Sequence, residues 1–162
     1  MKKVLFLMIA TLSLRAVDID GFYKVPNFLM YKGAYVYAFN YHGQMLAYGV
    51  ANLNNTPAKK DTCNPNKKLR TRSDKGVIFL KDLRISNTKL EGGISYNFQD
   101  CFQYYTKGEI LQNGDLKLTF SLDSTFVFAK SVIWHRLSES EIKELHLEPF
   151  SFDEVIKTLQ DK

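Results

Sequence analysis

The side chains best suited to chemistry in this 162-residue sequence are three histidines, two cysteines and a few acids beside glycines. His42 sits in a turn signal, His135 in an alternating apolar run and His146 in a helical run. They share no ligand spacing, and a lone histidine is more often structural or solvated than catalytic. Cys63 and Cys101 form no Cys-x-x-Cys pair, so redox catalysis and a zinc knuckle both lack support. Glu91, Glu109 and Asp115 stand near glycines, where turns explain them. No Gly-x-Ser-x-Gly elbow, phosphate loop or dinucleotide fingerprint occurs. A Cys–His nucleophile would require that the two thiols stay free. The sequence therefore reads as a non-enzyme, with no catalytic residue, cofactor or metal assigned.

What remains is binding. Residues 32–50 read KGAYVYAFNYHGQMLAYGV, with Tyr35, Tyr37, Phe39 and Tyr41 at every second position and Ala34, Val36, Ala38 and Asn40 between them. Successive side chains of a strand point to opposite faces, so four rings share one side. At about 150–250 Å² each they form too large an apolar patch for a soluble monomer to leave bare. The barrel interior, a helix or a second subunit must cover them. The interior or its mouth is the favoured place, because tyrosine offers an apolar body with a hydroxyl for a polar ligand. The opposite orientation would leave more lumen and turn the rings toward an oligomer contact.

The elements that would position this row recur at short intervals. Alternation marks candidate strands at residues 19–25, 34–41, 44–51, 77–84, 92–98, 101–108, 115–122 and 125–137, separated by Gly, Asn, Asp and Pro. His42 and Gly43 read as a tight hairpin. In DLKLTFSL, Leu116, Leu118, Phe120 and Leu122 take one face and are a second candidate lumen wall. About eight strands in sequential hairpins suit a small closed antiparallel barrel, either filled by its own side chains or holding one small ligand. A two-sheet sandwich has the same periodicity. After residue 137 the pattern turns helical. Ser138 with Glu141 reads as a capping box, and Ser151 with Glu154 repeats it ahead of Phe152, Val155, Ile156 and Leu159. Both helices are expected on the barrel exterior.

The N-terminus carries Lys2 and Lys3, an apolar stretch over residues 4–14, and the small Ala16. This reads as a signal peptide over residues 1–16; the other reading is a retained membrane anchor. Removing it takes away Lys2, Lys3 and Arg15, so 22 basic residues become 19 against 17 acidic and the net charge drops from +5 to +2. That balance does not call for nucleic acid. In an oxidising compartment, two cysteines favour a Cys63–Cys101 disulfide over two free thiols. The long loop before residue 77 concentrates charge: residues 59–75 hold seven basic and two acidic side chains. Lys67, Lys68, Arg70 and Arg72 are candidate members of an anion-recruiting rim, against the plainer reading of a solvated loop.

Several short motifs now fall into a familiar order. DGFYKV resembles the Gly-x-Trp opening of lipocalin and related calycin barrels, with Tyr23 in the Trp position. IWHRL before a helix resembles their last strand. The series GFY, GGISY, NGDLKL and WHRL resembles a family of small exported bacterial proteins of unknown function. The resemblance covers roughly residues 20–137. It implies an all-β, antiparallel up-and-down barrel of about eight strands with C-terminal α-helices. It also implies that Gly21, Trp134 and Arg136 close the barrel bottom. By analogy of fold it implies a small-ligand carrier.

The expected organisation is a signal peptide (1–16), a barrel (17–137) and C-terminal helices (138–162). The expected function is binding of a small apolar or amphipathic molecule in the barrel of a periplasmic or secreted protein. No transmembrane span is expected in the mature chain, and a homo-oligomer is left open. The alternative is a filled barrel acting in the cell envelope through its surface or a subunit contact.

Overall fold

The computed structural model describes residues 18–160; the expected signal peptide lies outside the described residues. Eight antiparallel strands follow one another around a closed barrel: β1 (Gly21–Val25), β2 (Ala34–Tyr41), β3 (Gln44–Asn52), β4 (Ile78–Ser86), β5 (Lys89–Tyr96), β6 (Gln103–Ile110), β7 (Leu116–Ser121) and β8 (Lys130–Arg136). β1 pairs with both β2 and β8, which leaves no open sheet edge and excludes the sandwich.

The odd-numbered connections are long and the even-numbered ones tight, so the two ends of the barrel differ. Tight turns join β2 to β3, β4 to β5 and β6 to β7 at one end. The β2–β3 turn works because His42 (φ 52°) and Gly43 (φ 81°) both adopt left-handed conformations, which match the twist of the strands they join. The other end carries the four long connections. One departure is local. The last strand begins at Lys130, five residues later than the alternation suggests, and Val127 and Phe128 stand exposed in the preceding loop.

The closed end is a packed core. Tyr23, Met45, Leu80, Leu83, Leu90, Leu116 and Leu118 are fully buried there together with Trp134. Arg136 seals the bottom. Its guanidinium donates to the carbonyls of Asp18 (2.6 Å) and Asp20 (2.7 Å) and stands 5.8 Å above the Tyr23 ring. Gly21 lies directly beneath this group, the position of its missing Cβ being 3.4 Å from an Arg136 nitrogen. Burial pushes the Tyr23 hydroxyl up to about 12, with Arg136 offsetting part of the rise, and that hydroxyl donates to the Ile19 carbonyl at 2.9 Å.

The aromatic row faces outward, which corrects its expected place in the lumen. Ala34, Val36 and Ala38 point in, while Tyr35, Tyr37, Phe39 and Tyr41 pack outside with Leu46, Tyr48 and Val50 of β3. The cover is the C-terminal segment. α1 (Glu139–Glu144) and α2 (Phe152–Lys157) bring Ile142, Leu147, Val155 and Ile156 onto this face, and Val155 is buried to 1% exposure. Phe39 and Tyr41 meet Phe152 at ring distances of 5.9 and 6.1 Å. An eight-stranded barrel has a narrow lumen, and four rings from one strand would fill it. Turned outward, they give α2 the apolar surface that an amphipathic helix needs. The Ser138–Glu141 capping box forms, but Ser151 makes no side-chain cap bond.

Candidate functional site

Toward the open end the barrel is hollow. A cavity of about 770 Å³ opens among all four long connections. Its floor is Trp134, whose ring lies 6.0 Å from that of Phe79. Val36, Phe79, Phe120 and Val132 rise from it as apolar walls, and Leu29, Met30, Leu122 and Phe128 stand exposed at the rim. This volume falls within the range of small-molecule sites, so the barrel is packed at one end only. Alternation builds the wall: Lys130, Val132 and Trp134 of β8 share the inward face, and Phe120 pairs with Lys130 across β7.

Two polar clusters fix the mouth. The connection over residues 26–33 crosses toward the β5–β6 loop, where the hydroxyls of Tyr31 and Tyr104 both donate to Asp100 Oδ2 at 2.7 Å. Burial, followed by the bond to Asp100, pushes the Tyr104 hydroxyl well above its ordinary range. Beside them, Lys32 N–H donates to the Gln99 side-chain carbonyl at 3.0 Å, and the Gln99 amide returns a bond to the Lys32 carbonyl at 3.0 Å.

The second cluster centres on Asp61, fully buried under the long loop. Its carboxylate accepts from Tyr96 (2.7 Å), Asn64 (2.6 Å) and Arg72 Nε (3.0 Å). Burial and the Asp61 bond push the Tyr96 hydroxyl up strongly. Cys63 and Cys101 are joined in a disulfide with their Cα atoms 5.8 Å apart, which ties the long loop to the β5–β6 connection and leaves no thiol for nucleophilic chemistry.

The expected site residues are thus divided. Phe120 and Leu122 line the cavity, whereas Leu116 and Leu118 lie below it in the packed core. Tyr35, Tyr37, Phe39 and Tyr41 are outside the barrel. Lys67, Lys68, Arg70 and Arg72 do not line the cavity. Lys67 and Lys68 lie in a short 3-10 turn (Lys67–Leu69), Arg70 Nε donates to the Asn64 carbonyl at 2.7 Å, and Arg72 reaches Asp61. The charges that do line it are Lys32, Lys59, Lys75 and Lys130, against Asp74. The lysines of residues 59–75 that matter are therefore the first and last of the run, because both ends of the loop return to the barrel. Two bonds hold those ends together: Asp74 N–H donates to the Lys59 carbonyl at 2.9 Å, and Lys59 N–H to Asp74 Oδ1 at 2.8 Å.

The three histidines do not meet: His42 packs its ring edge-on against Tyr41 at 4.3 Å in the β2–β3 turn, His135 contacts Asp115 Oδ2 at 3.0 Å on the exterior, and His146 follows α1. Among the described residues no three His, Cys, Asp or Glu side chains are grouped to hold a metal ion, and no helix is long and apolar enough to cross a membrane. The indole N–H of Trp134 is buried without a hydrogen-bond partner among the described residues.

A closed eight-stranded antiparallel barrel, sealed at one end by an Arg over an aromatic ring and hollow at the other, defines a lipocalin-like protein. Residues 21–136 match a family described as an uncharacterized protein conserved in bacteria (DUF2147), and the chain belongs to that family. Protein HP1028 from the human pathogen Helicobacter pylori, described as belonging to the lipocalin family, is 43% identical and superposes with a TM-score of 0.85, covering 89% of this chain and 99% of that one. The curated proteins contain no match. The lipocalin-like fold supports a binding role, and with the disulfide it is consistent with an exported protein.

Proposed function

We propose that this protein binds a small apolar or amphipathic molecule in the open-end cavity and acts after export, in the periplasm or beyond it, once residues 1–16 are removed. The observation that carries the reading is the cavity itself: about 770 Å³, apolar in its depth, and reached through a mouth shaped by four loops. A barrel built only as a scaffold would gain packing energy by filling that space with larger side chains. Val36 and Ala34, which face the lumen, are small, and the bulky residues of the same strand are spent outside. The protein is read as a carrier or scavenger, not a catalyst.

Trp134 is the only tryptophan in the sequence and forms the cavity floor, so its emission reports entry. Titration with N-phenyl-1-naphthylamine is expected to give one bound probe per chain with a change in Trp134 emission. Ala34→Phe, which fills the upper cavity without adding a second tryptophan, is expected to abolish both while the circular dichroism spectrum is kept. Absence of probe binding to the native protein up to the probe's solubility limit would overturn the reading. It would move the assignment to a surface-acting module, for which the exposed Leu29, Met30, Val127 and Phe128 are the natural contact residues.

A further inference from the structure

The charged groups of the cavity wall are unequal in burial. Lys32, Lys59 and Lys130 are exposed at the rim, but the Lys75 side chain is only 10% exposed. Gly49 lets the loop that carries it approach the barrel wall closely. On β3, Met45, Ala47 and Gly49 alternate on the inward face, and Gly49 pairs with Val36 of β2. With no side chain there, Lys75 lies across the strand. A Cβ on Gly49 would meet the Asp74 carbonyl at 2.9 Å, Lys75 Cδ at 3.4 Å and Lys75 Nζ at 3.7 Å.

An ammonium group drawn into a largely apolar wall loses hydration and needs partners. Asp74 Oδ2 supplies one at 2.9 Å. An ammonium has three donors, and among the described residues this one meets no acceptor besides Asp74. The acids of the two mouth clusters are occupied: Asp100 Oδ2 accepts from Tyr31, Tyr104 and Asn97 and its Oδ1 from Phe102 N–H at 2.9 Å, and Asp61 accepts from Tyr96, Asn64 and Arg72. The lining side chains thus carry four positive charges against the single negative charge of Asp74.

We propose that the ligand is an amphipathic anion, with an acid headgroup seated on Lys75 and an apolar body reaching down past Phe79, Phe120 and Val132 to Trp134. The proposal rests on the cavity being the binding site. Lys32, Lys59 and Lys130 contribute the field that draws the headgroup to the mouth, and Lys75 supplies the charge-assisted hydrogen bonds that hold it. A cationic amphiphile of equal length is disfavoured by the same charges.

The test compares dodecanoate, dodecan-1-ol and dodecyltrimethylammonium as displacers of N-phenyl-1-naphthylamine, all below their aggregation limits. Native protein is expected to prefer dodecanoate over the alcohol by roughly tenfold or more, with the cation weakest. Lys75→Met, which keeps the apolar stem, is expected to erase the preference, each displacement being read relative to that variant's own naphthylamine affinity. Lys75→Gln should do the same and guards against a packing fault peculiar to one variant. Equal displacement by dodecanoate and the alcohol in native protein overturns the anionic ligand and leaves the cavity reading standing. A preference that survives both Lys75 variants but is lost in Lys130→Gln overturns the seat. Failure of the naphthylamine itself to bind overturns both readings together.

Discussion

Arg136 shows how much a single side chain does when its hydrogen bonds have fixed directions. The guanidinium joins β8 to the segment before β1 through the Asp18 and Asp20 carbonyls, and it covers the Tyr23 ring. A lysine would carry the same charge but could not reach both carbonyls from one planar group. Arg136→Lys is expected to destabilise by about 1–3 kcal/mol, read as a lower urea midpoint with an unchanged denaturant slope. A shift below about 0.5 kcal/mol, the scatter of ordinary surface substitutions, would show that backbone pairing alone closes the barrel. Asp115 works at the same end. Burial pushes its carboxyl up, but bonds from Arg136 N–H (2.8 Å), His135 and Asn113 outweigh this and hold it below its ordinary value.

At the scale of elements, the debt of the fold is to α2. Without it, Phe39, Leu46 and Tyr48 would lie bare on the barrel exterior, since Val155 and Ile156 are their cover. Val155→Asp places a carboxylate in that contact and is expected to cost about 2–4 kcal/mol. Size-exclusion chromatography with light scattering should show self-association as the rings find each other. A variant that remains monomeric with native stability would mean the row is covered some other way.

The same contact explains what the sequence could and could not reveal. Period-two alternation in AYVYAFNY and DLKLTFSL specifies strands because each strand has two distinct faces. It does not say which face of β2 points inward. That is decided by Val155, more than 110 positions away, and by the narrow lumen. The expectation for Trp134 and Arg136 rests on the likeness of WHRL to the last strand of such barrels, not on the periodicity of the strand itself. Lys75 was hidden among seven basic residues, since only the return of the loop over Gly49 distinguishes it.

The whole molecule combines a packed closed end with a hollow open end, and its pH dependence follows from which groups are buried where. On the acid side, Lys89 and Lys117 bonds hold Glu109 below its ordinary value, and the net effect on Asp115 is in the same direction. Their contribution is present above the unfolded carboxyl values and is lost as pH falls through the lower folded ones. The alkaline limb is sharper because its groups sit in the core. Burial pushes Tyr23 up to about 12, with Arg136 opposing. It does the same for Tyr48, with a backbone bond at Phe150 opposing. A raised tyrosine contributes stability that is fully present below its unfolded value of 10.0 and is lost as pH rises through the folded value. Tyr23 and Tyr48 make the expected loss on the order of 2–3 kcal/mol each by pH 12, and Tyr96 and Tyr104, raised by burial and by their bonds to Asp61 and Asp100, add to it in the same direction. Urea midpoints from pH 7 to 12 should stay level to about pH 10 and then fall. Tyr23→Phe loses the bond to the Ile19 carbonyl, so it should be weaker than native at pH 7 by about 1 kcal/mol. Its alkaline fall should nevertheless be shallower by roughly one tyrosine's share. A variant whose midpoint falls in parallel with native across pH 10–12 would show that ionisation of the Tyr23 hydroxyl does not contribute to the alkaline limb.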